Sequence, residues 1–491
     1  MASDQTNLAL AWETVLDLEG TGPLVVRLER ALRDAVRSGR APAGAALPPS
    51  RRLAETLGVS RWVVTQVYGQ LVAEGVLEAR TGSATRVATS ATPLPAAPLP
   101  AAPLHDEGID PRTDARRRTA PRRAAFDLAP GVPDLRHVPR DAWLRAARDA
   151  LAVATAEDLA APPWAGHPRA RASVAAHLRR ARLVTAPDDA VVLLHGATHG
   201  MAVAAAALVA AGHTHVLVED PSWPVLRDVA RRAGLVPVPV PVDDAGVDVD
   251  ALAAAAAHTG ARAALLTPAH QFPTGAALAP ERRQQVVAWA HDVDGLLVED
   301  DYDAEFRYDR RPVAALQRLH PGRVLLLGSL SKTLAPAFGL GWAVVPEGWR
   351  EPFARAARGG AGSAPSVVDQ LAFDQFLTGG GYDRHLRATR TRYRRRRDAV
   401  VAAVARALPD VRVRGLAAGM HLLLDLGEGH DAADVVREAA RRDVAVVDLR
   451  RYETQPSVRS RTLVLGYGNL ADARVDEAVE RLAAAVTAAG R

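Results

Sequence analysis

From Phe126 onward the chain alternates short apolar runs with longer stretches of helical periodicity, and this alternation constrains the fold more than any other feature. Candidate strands fall at Val191–Leu194, His215–Val218, Ala263–Leu266, Leu296–Glu299, Val324–Leu327 and Trp342–Val345. Repeated strand and helix of this kind predict a mainly parallel sheet covered on both faces. Ligands of such sheets bind beyond the carboxyl ends of the strands. Thr267, Asp300 and Lys332 each follow a candidate strand, which places all three on that edge.

Lys332 is the sole lysine in 491 residues; the other 60 of the 61 Lys plus Arg are arginine. Guanidinium meets nearly every generic need for positive charge here, so a position that keeps an amine is expected to require one. Arginine stays protonated, whereas a desolvated lysine can lose its proton and attack an aldehyde. Suitable neighbours occur in order. Ser222-Trp223-Pro224 offers a flat ring after one strand, and Glu299-Asp300-Asp301-Tyr302 offers acids and a phenol after another. A pyridoxal phosphate (PLP) ring needs an imine-forming lysine, a carboxylate at its pyridine nitrogen, a donor to its hydroxyl and a stacking surface. All four residue types are present. The plain alternatives are a surface lysine, a helix-capping aspartate and half-buried aromatics.

Texture divides the chain at 1–88, 89–125 and 126–491. The middle stretch is rich in Ala, Pro and Arg, lacks apolar periodicity, and reads as an extended linker. Before it, Val25–Ser38 carries apolar residues at helical spacing, Ser50 is read as a cap for a short helix ending near Leu57, Gly58-Val59 makes a turn, and a second helix runs from Ser60 through Ala73. That is a helix-turn-helix, whose second helix enters the major groove through its N-terminal residues. Val76 to Val87 reads as a two-stranded wing. The zone holds ten arginines against nine acids from Met1 to Ala88, so tight binding to a duplex would call for a dimer.

With no cysteine, disulfides, thiolate metal sites and thiol nucleophiles are excluded, and no metal site is assigned. The N-terminus has no leader pattern, and the longest apolar stretch, Met201 to Ala211, is too short to span a bilayer. A cytoplasmic chain without a membrane partner is expected. The formal net charge of +5 is spread thinly, and the basic run Arg387–Arg397 is read as a solvated helix face without an assigned function.

Leu47-Pro48-Pro49-Ser50-Arg51-Arg52-Leu53-Ala54, Gly58-Val59-Ser60-Arg61 and Leu71-Val72-Ala73-Glu74-Gly75-Val76-Leu77 resemble the winged helix-turn-helix of the GntR family. The resemblance implies double-stranded operator DNA as partner and DNA contacts at Arg51, Ser60, Arg61, Thr65 and Gly82. Trp62 and Val63 stand where that family often has polar residues, so contact with thymine methyls is expected. Thr267-Pro268-Ala269-His270-Gln271-Phe272-Pro273-Thr274-Gly275, Glu299 through Tyr308, and Ser331-Lys332-Thr333-Leu334-Ala335-Pro336 resemble fold-type I aminotransferases. The combination is similar to the MocR-type subfamily of GntR regulators. It implies a PLP-dependent transferase fold with a mainly parallel sheet and a smaller C-terminal α+β subdomain. It also implies Lys332 on the cofactor aldehyde, Asp300 at the pyridine nitrogen, Tyr302 at the ring hydroxyl, Trp223 stacking, and Arg461 gripping a substrate carboxylate.

The phosphate cup departs from that pattern. Gly339 stands where an arginine is usual, Ala161-Pro162 replaces the usual Tyr-Gly, and Gly196-Ala197-Thr198-His199 replaces Gly-Ser-Gln-Gln. Ala197 and Thr198 at a helix start, with Ser329 and Ser331, are the expected phosphate ligands. The resulting expectation is a homodimeric regulator in which an amino-acid-like effector displaces Lys332 from PLP. The alternatives are a working PLP-dependent aminotransferase, or a regulator whose pocket no longer binds PLP.

Overall fold

The computed structural model describes residues 12–18, 22–79, 84–89, 124–160, 163–308, 314–359 and 364–490. Gly82, Ala161, Pro162 and nearly all of the 89–125 stretch lie outside the described residues. Contacts group the chain into two compact units, 1–118 and 119–491.

In the first unit, helices Leu24–Arg37, Ser50–Leu57 and Arg61–Ala73 enclose a core in which Leu28, Leu53, Val64, Val67 and Leu71 are inaccessible to solvent. Ser50 is the first helical residue rather than the cap; Pro49 occupies that position and offers no side-chain acceptor. Gly58 ends the helix at φ 64°, a left-handed conformation that glycine adopts without Cβ strain. Ser60 then starts the next helix, its hydroxyl accepting from the Val63 N–H. Strands β1 (Leu77–Glu78) and β2 (Arg86–Val87) pair antiparallel, with Leu77 and Val87 closing the same core.

The second unit begins with β3 (Phe126–Asp127). A large sheet follows, made of β4 (Val191–Leu194), β5 (His215–Asp220), β6 (Val236–Asp243), β7 (Gly246–Val247), β8 (Ala263–Leu266), β9 (Leu296–Asp300), β10 (Val324–Ser329) and β11 (Gly341–Val344). Its spatial order is β4-β11-β10-β9-β8-β5-β6-β7. β10, β9, β8, β5 and β6 run parallel, while β11 is antiparallel to both its neighbours. The parallel strands β8, β9 and β10 are buried at every position, as strands covered by helices on both faces must be, and so is β4 at the edge. A smaller antiparallel sheet joins β12 (Arg412–Arg414), β13 (His421–Asp425), β15 (Val447–Asp448) and β16 (Thr462–Gly466), and β14 (Val444–Ala445) returns to pair with β3. The mainly parallel sheet agrees with the sequence pattern, and the smaller C-terminal α+β element with what the family resemblance implies.

β6, like β7 and the strands of the smaller sheet, is not among the strands expected from the sequence, and its Val-Pro alternation is unusual for a strand. The Val236 N–H donates to Thr214 O. With a two-residue period, Val238 and Val240 share that orientation, and Pro237, Pro239 and Pro241 turn toward the sparsely paired side, where a missing N–H costs nothing. Val240→Pro is therefore expected to destabilise the unit by about 1–3 kcal/mol through an unpaired β5 carbonyl, and Pro239→Ala by much less; urea unfolding of the two variants checks this.

Candidate functional site

The carboxyl edge of the large sheet opens into a cavity of about 300 Å³ lined by Thr267 after β8, Asp300 at the end of β9, Ser329 at the end of β10, and Ser331 and Lys332 in the following turn. Trp223, Phe272, Tyr302 and Met420 add apolar wall, and Gly196, Ala197 and Thr198 supply the start of the helix Ala197–Ala210.

Lys332 is held by its loop. The Leu330 N–H donates to Leu340 O and the Leu334 N–H to Leu330 O, with all three leucines buried. Thr333 is clamped from the long helix Gly381–Ala407: Tyr382 OH donates to its hydroxyl at 3.0 Å, and His385 Nε2 lies 2.7 Å from its carbonyl. The amine donates to Gly131 O at 2.6 Å. Burial pulls the ammonium pKa below its ordinary value, against the opposing pull of Asp300 and Asp303. A lysine so placed gives up its proton more readily than one in water.

Three acids stand in a row at the end of β9, and strand alternation separates their roles. Glu299 points away from the cavity and accepts from the Leu316 and Gln317 N–H groups at 3.0 and 3.2 Å. Asp301 is gripped in two parallel bonds by Arg182, each 2.7 Å long, with both side chains buried. Asp300 alone enters the cavity. Burial first, and then Asp301, push its carboxyl up to about 7, while Lys332 pulls the other way. Its Oδ1 is buried and has no hydrogen-bond partner among the described residues. An orphaned buried carboxylate oxygen is costly and marks a place for a cationic or N–H group.

Tyr302 approaches His270, OH to Nδ1 at 3.2 Å, and the same nitrogen sits 2.7 Å from Asp303 Oδ2. Burial and Asp303 hold the phenol pKa well above its usual range, so the hydroxyl keeps its proton and can donate it in a hydrogen bond. His421 lies behind this pair with its ring 5.0 Å from that of His270, and burial lowers its pKa to about 3, leaving it neutral. His270, Asp303 and His421 form a compact buried donor set. His270 Nδ1 is taken by Asp303 and His421 Nε2 meets Pro273 O at 3.1 Å, whereas His270 Nε2 is buried without a hydrogen-bond partner among the described residues. The sequence reading missed this network and His195, which also lines the cavity; its position directly after β4 was the available signal.

Trp223 precedes the helix Pro224–Arg232 and keeps 37% of its surface exposed, its ring edge-on to Phe272. Gly196 sits at φ 108°, and a Cβ there would lie 3.3 Å from Ser329 Oγ. Ser329 in turn donates to Ser331 Oγ at 2.8 Å. The first N–H groups of the following helix have no acceptor within it. Gly339 is not part of the cavity wall; it ends a short turn at φ 53°, where a side chain would be strained.

Arg461 requires a correction. It precedes β16 at the end opposite Gly466, and pairing places Thr462 against Asp425 while Gly466 meets the cavity residue His421. Five strand residues span roughly 16 Å. The guanidinium is half exposed, 3.9 Å from Glu428, and is absent from the cavity wall.

In the first unit, Arg51, Ser60, Arg61 and Thr65 are all exposed. Arg51 makes a single long contact with Glu55 at 3.6 Å, and the Thr65 hydroxyl donates to Arg61 O at 2.9 Å. Trp62 is 64% exposed on the same face, but Val63 is buried in the core and cannot meet a thymine methyl. The helical period explains it, because successive residues on a helix diverge by about 100°.

Comparison with known proteins matches residues 124–482 to aminotransferase class I and II and residues 24–87 to bacterial regulatory proteins of the gntR family. Similar curated proteins include a probable rhizopine catabolism regulatory protein MocR of Rhizobium meliloti, 32% identical with 96% of each chain covered. Another is the pyridoxine biosynthesis transcriptional regulator PdxR of Corynebacterium glutamicum, 31% identical with 87% of this chain and 88% of the relative covered. Among solved structures, the multiple substrate aminotransferase of Thermococcus profundus superposes at a TM-score of 0.69 over 77% of this chain and 95% of that one, at 21% identity. That likeness fixes the fold, one shared by PLP-dependent enzymes. Two family matches in tandem, together with relatives of this identity along most of the length, establish that the chain belongs to the MocR-type regulators, in which a GntR module precedes an aminotransferase class I and II domain.

Proposed function

We propose that this protein is a cytoplasmic, homodimeric DNA-binding transcription regulator whose aminotransferase-like domain binds PLP at Lys332 and senses an amino-acid-like amino compound there. The observation that carries the reading is the convergence of a desolvated amine and an unpartnered buried carboxylate on one cavity. The residues fit the cofactor. Asp300 Oδ1 would receive the pyridine N–H, Tyr302 would donate to the ring hydroxyl, and Trp223 would cover the ring. Ser329, Ser331 and the N–H groups of Ala197 and Thr198 would take the phosphate without an arginine at Gly339. Bound there, PLP supplies an aldehyde that a primary amine can attack. Lys332 would provide that amine, its burial easing loss of the proton, and an effector amine would compete for the same position. Regulation follows if the effector binds one arrangement of the protein more tightly than the other.

On the DNA side, the exposed Arg61 and Trp62 at the start of the second helix are the groups that reach base edges, with Arg51 on phosphate. Ser60 contributes through its cap, which fixes where that helix begins.

Titrating PLP into the protein is expected to produce a visible absorbance band of lysine-bound PLP in the wild type and none in Lys332→Ala; a wild type without the band rejects the cofactor reading. In gel shifts with DNA from upstream of its own gene, Arg61→Ala is expected to bind more weakly by about 1–3 kcal/mol, with the cavity unaffected. Asp300 supplies a pH test. Its unfolded carboxyl ionises near pH 3.9 and its folded one near 7, so ionisation disfavours the folded state increasingly as pH rises between those values. Asp300→Asn is therefore expected to raise the Tm of the cofactor-free protein at pH 8, by about 1–3 kcal/mol in stability, leave it nearly unchanged at pH 4, and weaken PLP binding. Calorimetry at both pH values, with PLP titration, checks the pair of opposite effects.

A further inference from the structure

A second, larger concavity lies in the aminotransferase-like unit and shares no lining residue with the cofactor cavity. It is a cleft of about 830 Å³ between the end of the helix Pro168–Arg182, the segment Ala304–Tyr308 and one face of the helix Gly381–Ala407. Asp383, Arg387, Arg390, Thr391 and Arg394 recur at three- and four-residue spacing along that face. Among the described residues, six arginines line the cleft, Arg180, Arg182, Arg307, Arg387, Arg390 and Arg394, against two carboxylates, Glu305 and Asp383.

The arginine run read as a plain solvated face turns out to be divided. Arg395 and Arg396 are consumed by Asp472, with Arg396 also reaching Asp134 at 2.7 Å; Arg397 is beside Asp398 at 3.6 Å, and Arg390 meets Glu305 at 2.7 Å. Arg392 donates to the Thr389 hydroxyl. Arg387 and Arg394 are exposed, have no ion pair among the described residues, and both face the cleft. Among the described residues, the acids that line the cleft or stand beside it already have partners. Glu305 is bound by His177 at 2.8 Å as well as by Arg390, Asp301 by Arg182, and Asp383 stands 3.9 Å from Arg180. The cleft thus keeps a surplus of guanidinium charge within a concave wall of small-ligand size. Guanidinium forks match phosphate oxygens in pairs, and charge confined in a concavity is felt more strongly than on a convex surface.

We propose that this cleft is a binding site for a small oligophosphate-bearing anion, held by Arg387 and Arg394 and separate from the PLP cavity. Calorimetric titration of the full chain with sodium tripolyphosphate tests it. Wild type is expected to bind one anion per chain, and Arg387→Gln/Arg394→Gln to bind at least about tenfold more weakly, the loss of one to two charge-assisted contacts. Both positions are exposed, so folding is expected to survive, as circular dichroism would show. Arg61→Ala and Lys332→Ala should titrate like the wild type. No binding, an unchanged affinity in the double variant, or loss of binding in either control overturns the proposal. So does displacement of the anion by a DNA duplex of unrelated sequence in wild type and Arg61→Ala alike, since the cleft would then be a track for nucleic acid.

Discussion

The parallel pairing of β9 with β10 is the constraint on which the cofactor cavity depends. Its register sets Leu327 opposite Asp300, and the Asp301 N–H closes the ladder onto Leu327 O at 2.9 Å. Once those strands are fixed, the acid at the end of one and the lysine in the turn after the other emerge at the same rim. Both strands are fully buried, so a slip by one residue would bury Glu299 or Asp301 in the place of Asp300 and expose apolar side chains. The chemistry of the site is thereby tied to the hydrophobic pattern of the sheet.

Electrostatics at that rim rests on an unequal division of charge. Arg182 neutralises Asp301, backbone N–H groups satisfy Glu299, and Asp300 is left with one oxygen unmatched. The amine of Lys332 and this carboxyl shift toward neutrality together, because neither is solvated well enough to hold its charge unaided. A bound ring that brings an N–H to one and an aldehyde to the other relieves both costs. The energy stored in an unsatisfied pair of groups is what makes the site receptive.

Much of the architecture was legible in the sequence. All six candidate β-run positions, the helix-turn-helix and the rim location of Asp300 and Lys332 follow from periodicity alone, since burial on two faces demands continuous apolar runs and a major-groove helix needs a turn glycine such as Gly58. Where the reading failed, a local rule was applied without its tertiary partner. The Val-Pro strand β6 is a strand because only one of its edges is fully paired. Arg461 matched a motif by spacing, yet the direction of β16 carries it away from the cavity. Val63 was taken for a reader of DNA although the helical period turns it inward.

The sequence by itself determined the residue types and their order: one amine in an arginine-rich chain, three consecutive acids at a strand end, and a capped helix after a glycine turn. Composition and periodicity encode these because they depend on neighbours a few positions away. Only the tertiary structure decided which of Glu299, Asp300 and Asp301 faces the cavity, that His270 and Asp303 stand behind Tyr302, and which arginines of a single run remain without a carboxylate. Those outcomes depend on partners up to hundreds of residues distant, Arg182 to Asp301 and Arg396 to Asp134 among them, brought within hydrogen-bond reach by strand register and helix packing.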